Sequence, residues 1–394
     1  YMNKSILCIL LVISTSFTGC MDYFDDSKNS SYYPDIEDRH KLEWNMNGTH
    51  SYILNKGPYE SLEVQEVFIN VDTSSVWETG PSDAVVHLSY WLPSNTMNAE
   101  KVPVIAIVSP YFDYGGPDGS ASTPTNIVGA ARGEFIYENF IPWGYAFAQV
   151  AVFGTEESTG CFDYRGHGEQ LGIDAAVTWL GEQEWSNGNV GLYGKSYEGA
   201  TQWEAALSGN PYLKTIVPIS GTTSTKTLLF KNGSAEARSQ VMHGAYFINI
   251  VDFDESDTEH VCPDVADGFT RGERTYLEPR VDPDLNYWNE RDYRQRSIDN
   301  YQGSVYFVQG LQDWNVDSHM IFPLYQQMKD AGFDVKGIFG QWGHDYPDQW
   351  QKHDDIDKDN GGTAFPQMTR WDWAQDLFEW FEYYLQNRGP KPDL

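Results

Sequence analysis

The segment Val102–Val108 reads Val-Pro-Val-Ile-Ala-Ile-Val, apolar at every position. A strand with one wet face alternates, whereas one that is apolar throughout is covered on both faces, the condition of a parallel sheet flanked by helices. The same logic runs on along the chain. The pattern predicts a helix over Asn126–Asn139, a strand over Tyr145–Val152 and a helix over Leu171–Glu182 with Ile173, Ala176, Val177 and Leu180 at helical spacing. A strand over Val190–Tyr193, a helix from Tyr197 and a strand over Thr215–Ile219 follow. After a break, Val305–Val308 leads into a helix over Ser318–Ala331, and Val335–Phe339 leads into a loop. A last helix over Trp371–Leu385 gathers Leu377, Phe378, Phe381, Tyr384 and Leu385 on one face. Such alternation implies right-handed crossovers and a mostly parallel sheet with helices on both faces. Ahead of it, Glu63–Val71 and Ala84–Leu92 have strand character and suit an antiparallel lead-in. Residues 222–302 break the rhythm and read as a cap inserted into the sheet domain.

The first twenty residues stand outside this fold. Lys4 precedes the apolar run Ile6–Ile13, which is too short to span a bilayer, and Phe17-Thr18-Gly19-Cys20 places small residues before a cysteine. This resembles a bacterial lipobox. The expected organisation is a signal peptide over 1–19, a lipoprotein tether and extension over 20–60 starting at a lipidated Cys20, and an α/β domain over 61–394. An ordinary secretory signal and an uncleaved anchor are the alternatives. Each version exports the protein, as a membrane-anchored lipoprotein or a free extracytoplasmic one. Cys161 and Cys262 remain; an oxidising compartment would let them pair, and two free thiols fit the sequence equally well. The 57 acidic against 26 basic residues leave a net charge of -31, which repels nucleic acid and anionic membrane. Nucleic-acid partners are therefore excluded, and membrane contact is expected only through Cys20.

Chemistry concentrates in Asn189-Val190-Gly191-Leu192-Tyr193-Gly194-Lys195-Ser196-Tyr197-Glu198-Gly199-Ala200. A strand ends, a serine flanked by glycines follows, and a helix begins. A strained turn there presents the hydroxyl, and the helix N-terminus favours a developing oxyanion. The strict form of this turn has glycine where this chain has Glu198, its second glycine coming one place later at Gly199. A serine nucleophile needs a base and an orienting acid, in this fold in the chain order serine, acid, histidine. Asp313 ends a late strand, and His344 lies in the loop after the next, beside it in space. His319 reads as a surface residue, His353 as too far along a polar loop, and His243 and His260 as part of the insertion. Asp317 reads as the cap of the following helix. The fold class is thus the α/β-hydrolase fold.

With these residues in place, the chain resembles the X-prolyl dipeptidyl-peptidase and cocaine-esterase (CocE/NonD) acyl hydrolases. The resemblance rests on Trp185-Ser186-Asn187-Gly188-Asn189-Val190-Gly191 leading to Gly194-Lys195-Ser196-Tyr197, on Gly310-Leu311-Gln312-Asp313-Trp314-Asn315-Val316, on Trp342-Gly343-His344 and on Ser109-Pro110-Tyr111. It implies Ser196 as nucleophile, His344 as base then acid and Asp313 as its orienter, with the Tyr111 hydroxyl and the Tyr197 N–H as the oxyanion hole. It also implies an Asp-x-Arg-Gly before the second core helix. Here Ala151-Val152-Phe153-Gly154 stands at that place, and an acid and arginine recur at Asp163-Tyr164-Arg165-Gly166, so a salt bridge there would be relocated. A C-terminal jelly-roll domain is implied too; the sequence stops at Leu394, so that domain is expected to be absent or truncated.

The activity expected is that of an exported serine hydrolase working through an acyl-enzyme, X-prolyl dipeptidyl-peptidase-like. An acyl esterase of the cocaine-esterase type is the alternative, and a catalytically silent binding protein on the same fold is the alternative of another class. The partner is a small peptide or ester. Phe230, Tyr246, Phe247, Tyr287 and Trp288 of the insertion could line an acyl or proline pocket or simply pack the cap. Glu198 could hold a substrate amine or complement the helix dipole. Asp355-Ile356-Asp357-Lys358-Asp359 has calcium-loop spacing but Asn360 in place of glycine, and Asp252-Phe253-Asp254 lacks the glycine as well, so both read as solvated loops. No P-loop, dinucleotide fingerprint or zinc spacing is present, and neither cofactor nor metal is expected.

Overall fold

The computed structural model describes residues 57–77, 80–112, 133–232, 234–235, 262, 265, 286–347 and 373–394. The signal and tether segments with Cys20, the residues His243, Tyr246, Phe247, His260 and His353, and the acidic loops at 252–254 and 355–359 lie outside them.

Eight strands form one sheet. In chain order they are β1 (Gln65–Asp72), β2 (Asp83–Trp91), β3 (Val102–Ser109), β4 (Ala146–Ala151), β5 (Ser186–Lys195) and β6 (Leu213–Ile219), followed after a small hairpin by β9 (Ser304–Gly310) and β10 (Val335–Gly340). That hairpin pairs β7 (Phe230–Lys231) with β8 (Ser234–Ala235) in the insertion, where the sequence showed no strand pattern. The spatial order is β1-β2-β4-β3-β5-β6-β9-β10. The pairs β1–β2 and β2–β4 are antiparallel and every other pair is parallel, so the antiparallel lead-in forms one edge of the sheet.

The helices are α1 (Gly133–Phe140), α2 (His167–Glu182), α3 (Tyr197–Ala206), α4 (Thr225–Leu229), α5 (Asn286–Asn289), α6 (Arg294–Asn300), α7 (Ile321–Asp330) and α8 (Trp373–Gln386). All eight residues of β3 are buried, and their alternation sorts them between two cores. Val104, Ala106 and Val108 pack with Ile173, Ala176 and Val177 of α2 and Trp203 of α3. Ile105 and Ile107 pack with Phe135 and Phe140 of α1 and with Phe378 and Phe381 of α8. The continuous apolar run therefore reports helices on both faces, as its composition requires.

The start of one helix differs from the sequence pattern. The helix expected over Ser318–Ala331 is a 3-10 turn, Ser318–Met320, followed by α7. Pro323, which offers no N–H, is tolerated because it falls in the first turn of α7. Asp317 occupies the cap position of that turn, but its side chain makes no cap bond and pairs with Lys231 of the insertion instead. Cys161, before α2, and Cys262, in the insertion, form a disulfide with Cα atoms 4.8 Å apart. Within the insertion Trp288 is fully buried and meets Phe230 edge-on at 5.2 Å, so Trp288 packs the cap.

Candidate active site

Ser196 stands between the end of β5 and the start of α3 with φ 64 and ψ -115, a conformation non-glycine residues rarely adopt. Strain of this kind costs about 1–3 kcal/mol and persists only where neighbours over-determine it. They do so here. Ser196 N–H donates to the Ile219 carbonyl at 2.9 Å, and its own carbonyl accepts from Gly199 and Ala200. A Cβ at Gly194 would come within 2.4 Å of Glu198 Cβ, and one at Gly199 within 2.7 Å of Gly221 Cα. The glycine spacing thus has a physical reading. Glu198 tucks under the turn against Gly194, and the helix makes its close backbone approach one residue later, at Gly199.

Asp313 follows β9 and His344 follows β10, adjacent parallel strands. His344 Nδ1 and Asp313 Oδ2 are 2.8 Å apart. The other carboxylate oxygen accepts the N–H groups of Asn315 and Val316, both at 2.9 Å. Burial would push the Asp313 carboxyl up, but the facing imidazole and the Val316 N–H outweigh it and hold the acid below its ordinary range. Lys195 Nζ donates to the His344 carbonyl at 2.8 Å, tying the histidine loop to the residue before the serine. Ser196 Oγ and the imidazole are not hydrogen-bonded to each other here; such contacts often tighten only when substrate is bound. His319 is about half exposed, as expected of a surface residue.

Tyr111 and Tyr197 meet edge-on, their ring centroids 5.9 Å apart. Tyr111 lies just beyond β3, which pairs with β5, and the Tyr197 N–H belongs to the first turn of α3. The Tyr197 hydroxyl donates to Glu169 at 2.8 Å, and the Arg165 guanidinium lies over the Tyr197 ring at 4.3 Å. Burial pushes Glu169 and its buried neighbour Glu204 upward, against the charge of Arg165. Asp163 pairs with Arg291 of the insertion at 3.2 Å, not with Arg165, so the acid and arginine that recur at 163 and 165 do not form the salt bridge the sequence suggested there. Sequence reasoning missed the Glu169–Glu204 pair and the Lys195 tie, because neither carries a local pattern.

A cavity of about 610 Å³ opens beside Asp313, lined by Thr227, Phe230 and Lys231 of the insertion and by Leu311, Asp317 and His319. Glu198 is fully buried, its carboxyl closed from solvent, which removes it from reach of a substrate amine. Among the described residues no group of three or more His, Cys, Asp or Glu side chains is placed to hold a metal.

A serine on a strained strand-to-helix turn, within a mostly parallel sheet whose later strands supply an acid and a histidine, puts the chain among the α/β hydrolases. Its place within them is specific. The family model for X-Pro dipeptidyl-peptidase (S15 family) matches residues 82–346, and the chain belongs to that family. A Streptomyces avermitilis protein provisionally named an Xaa-Pro dipeptidyl-peptidase is 28% identical over 305 residues, covering 72% of this chain and 40% of the relative. A Bacillus anthracis protein of the same provisional name is 25% identical over 415 residues, covering 97% of this chain and 64% of the relative. The chain therefore spans only part of the length of these relatives. Among solved structures, a CocE/NonD family hydrolase from Staphylococcus aureus has a TM-score of 0.55 at 16% identity, covering 85% of this chain and 55% of that one. An α-amino acid ester hydrolase has a TM-score of 0.52 at 16% identity, covering 86% of this chain and 56% of that one. These likenesses establish the fold.

Proposed function

We propose that this hydrolase works through an acyl-enzyme on Ser196 and releases X-Pro dipeptides. The observation that carries the reading is the strained turn at Ser196 together with an acid–histidine pair 2.8 Å apart, whose histidine carbonyl is tied by Lys195 to the residue before the serine. His344 takes the Ser196 proton as the hydroxyl attacks the scissile carbonyl, and Asp313 holds the imidazole in the required tautomer and stabilises its charged form. The Tyr197 N–H and the Tyr111 hydroxyl receive the oxyanion. Collapse expels the amine, which takes the proton back from His344, and water repeats the sequence to free Ser196. The family and its relatives' names support the X-Pro specificity.

Ester hydrolysis is the second reading, and one observation favours it: Glu198 is shut away, so no amine anchor stands at that position. Purified protein offered a Gly-Pro aryl amide and a matched aryl ester decides between them. The X-Pro reading expects amide cleavage that is lost in Ser196→Ala; turnover of the ester alone ends it. We also propose export, with a lipid on Cys20. The buried disulfide between Cys161 and Cys262 fits an oxidising compartment. Mass spectrometry of the mature protein should find a lipidated Cys20 at its N-terminus, and a chain that keeps Met2 would refute this.

A further inference from the structure

Glu198 lies two residues beyond Ser196 and is fully buried. Its Oε1 accepts from Ser109 Oγ at 2.8 Å, and Ser109 Oγ accepts the Tyr111 N–H at 3.0 Å. Ser109 is the last residue of β3 and is itself fully buried. One turn along α3, Thr201 Oγ1 donates to the Val108 carbonyl at 3.0 Å. The start of α3 therefore grips the end of β3 at two points, and the chain turns there to carry Tyr111 onto the Tyr197 ring. The grip is expensive. Burial pushes the Glu198 carboxyl up to about 7 despite the Ser109 bond, and its Oε2 has no hydrogen-bond partner. An apolar side chain of similar size would fill the space without that cost.

We propose that Glu198 is a positioning residue for the oxyanion hole: through Ser109 it fixes the turn that carries Tyr111, and so sets where the Tyr111 hydroxyl stands relative to Ser196. The proposal rests on the reading of Tyr111 and Tyr197 as the oxyanion donors. The hydrogen bonds run in one direction, Tyr111 N–H to Ser109 hydroxyl to Glu198 carboxyl. Removing either lower member frees the turn while leaving Ser196, Asp313 and His344 in place.

A double-mutant cycle on the full chain, read by steady-state hydrolysis of p-nitrophenyl butyrate, tests it. Glu198→Ala and Ser109→Ala should each lower kcat by about tenfold to a hundredfold, the scale of a misplaced catalytic group, with KM within about twofold. Glu198→Gln, whose amide oxygen can still accept from Ser109, should restore most of the rate. In a Tyr111→Phe background Glu198→Ala should change kcat by less than about twofold, because the hydroxyl it positions is gone. An equal loss with and without that hydroxyl overturns the proposal, since it is what a general packing defect produces. Wild-type kcat in Tyr111→Phe alone would instead refute the oxyanion reading beneath it. Should Glu198→Ala fail to fold, Ser109→Ala, which loses a single oxygen, takes its place in the same cycle.

Discussion

Replacing Cys161 and Cys262 together by alanine opens a loop of 101 residues that encloses α2, β5, Ser196, α3 and β6. Loop-closure entropy for a ring of this size is worth about 4.7 kcal/mol at 25 °C, and measured losses on removing a disulfide more often fall at about 2–4 kcal/mol. Both cysteines are buried and share the main core with Phe162, Tyr164 and Val265, so the alanines also leave a small cavity, which places the expected loss in the upper half of that range. For a chain of 394 residues this lowers Tm by roughly 3–5 °C. Calorimetry should find the drop in the double variant, and reducing the wild type should lower its Tm most of the way to that value, the remainder being the cavity the alanines leave. Reduction should leave the variant unchanged. If wild-type Tm is insensitive to reductant, or the variant melts with the wild type, the cross-link does not constrain the unfolded chain and the reasoning fails.

Three further outcomes follow from the site and its support. Ser196→Ala should lower turnover by a factor on the order of a million and abolish fluorophosphonate labelling, and Asp313→Asn should lower kcat about ten-thousandfold by spoiling the imidazole tautomer; undiminished labelling of Ser196→Ala would remove the nucleophile. Gly199→Ala puts a Cβ 2.7 Å from Gly221 Cα and 2.8 Å from the Ile219 carbonyl oxygen, both backbone, and should destabilise by about 1–3 kcal/mol or more, read as a lower midpoint in urea. Burial raises Glu382 on α8 from 4.5 to about 7, against the Tyr145 hydroxyl bond and Arg388. Between these values the native state keeps a proton that the unfolded chain has lost, so stability falls as pH rises from 4.5 to 7 and levels off above. Glu382→Gln removes this contribution, on the order of 3 kcal/mol at pH 8, and its Tm should decline less between pH 5 and 8 than that of the wild type; parallel declines would refute the assignment.

Most of the architecture was legible because strands covered on both faces cannot hide their composition, as β3 shows. The chain order of Ser196, Asp313 and His344 was legible because each follows a strand of the same parallel sheet, and strand ends collect at one edge. What escaped depends on contacts distant in sequence. Glu198 read as a dipole partner or amine anchor, since nothing near it shows that Ser109, 89 residues earlier, would meet its carboxyl. Asp317 read as a cap, yet Lys231, 86 residues away, takes it. The acid and arginine at 163 and 165 looked like a pair, but Arg291 arrives from the insertion for the first while the second lies over an aromatic ring.

The bond from Lys195 to the His344 carbonyl joins residues 149 apart in sequence. At a synthesis rate of about 5–20 residues per second, the histidine leaves the ribosome roughly seven to thirty seconds after the serine. It reaches its place only when β10, at the edge of the sheet that the described residues form, has paired with β9. Until that strand docks, Ser196 lacks the base proposed for it. Were Ser196 and His344 to act as proposed, hydrolysis would wait on the docking of β10 against β9, because the base arrives only with that strand.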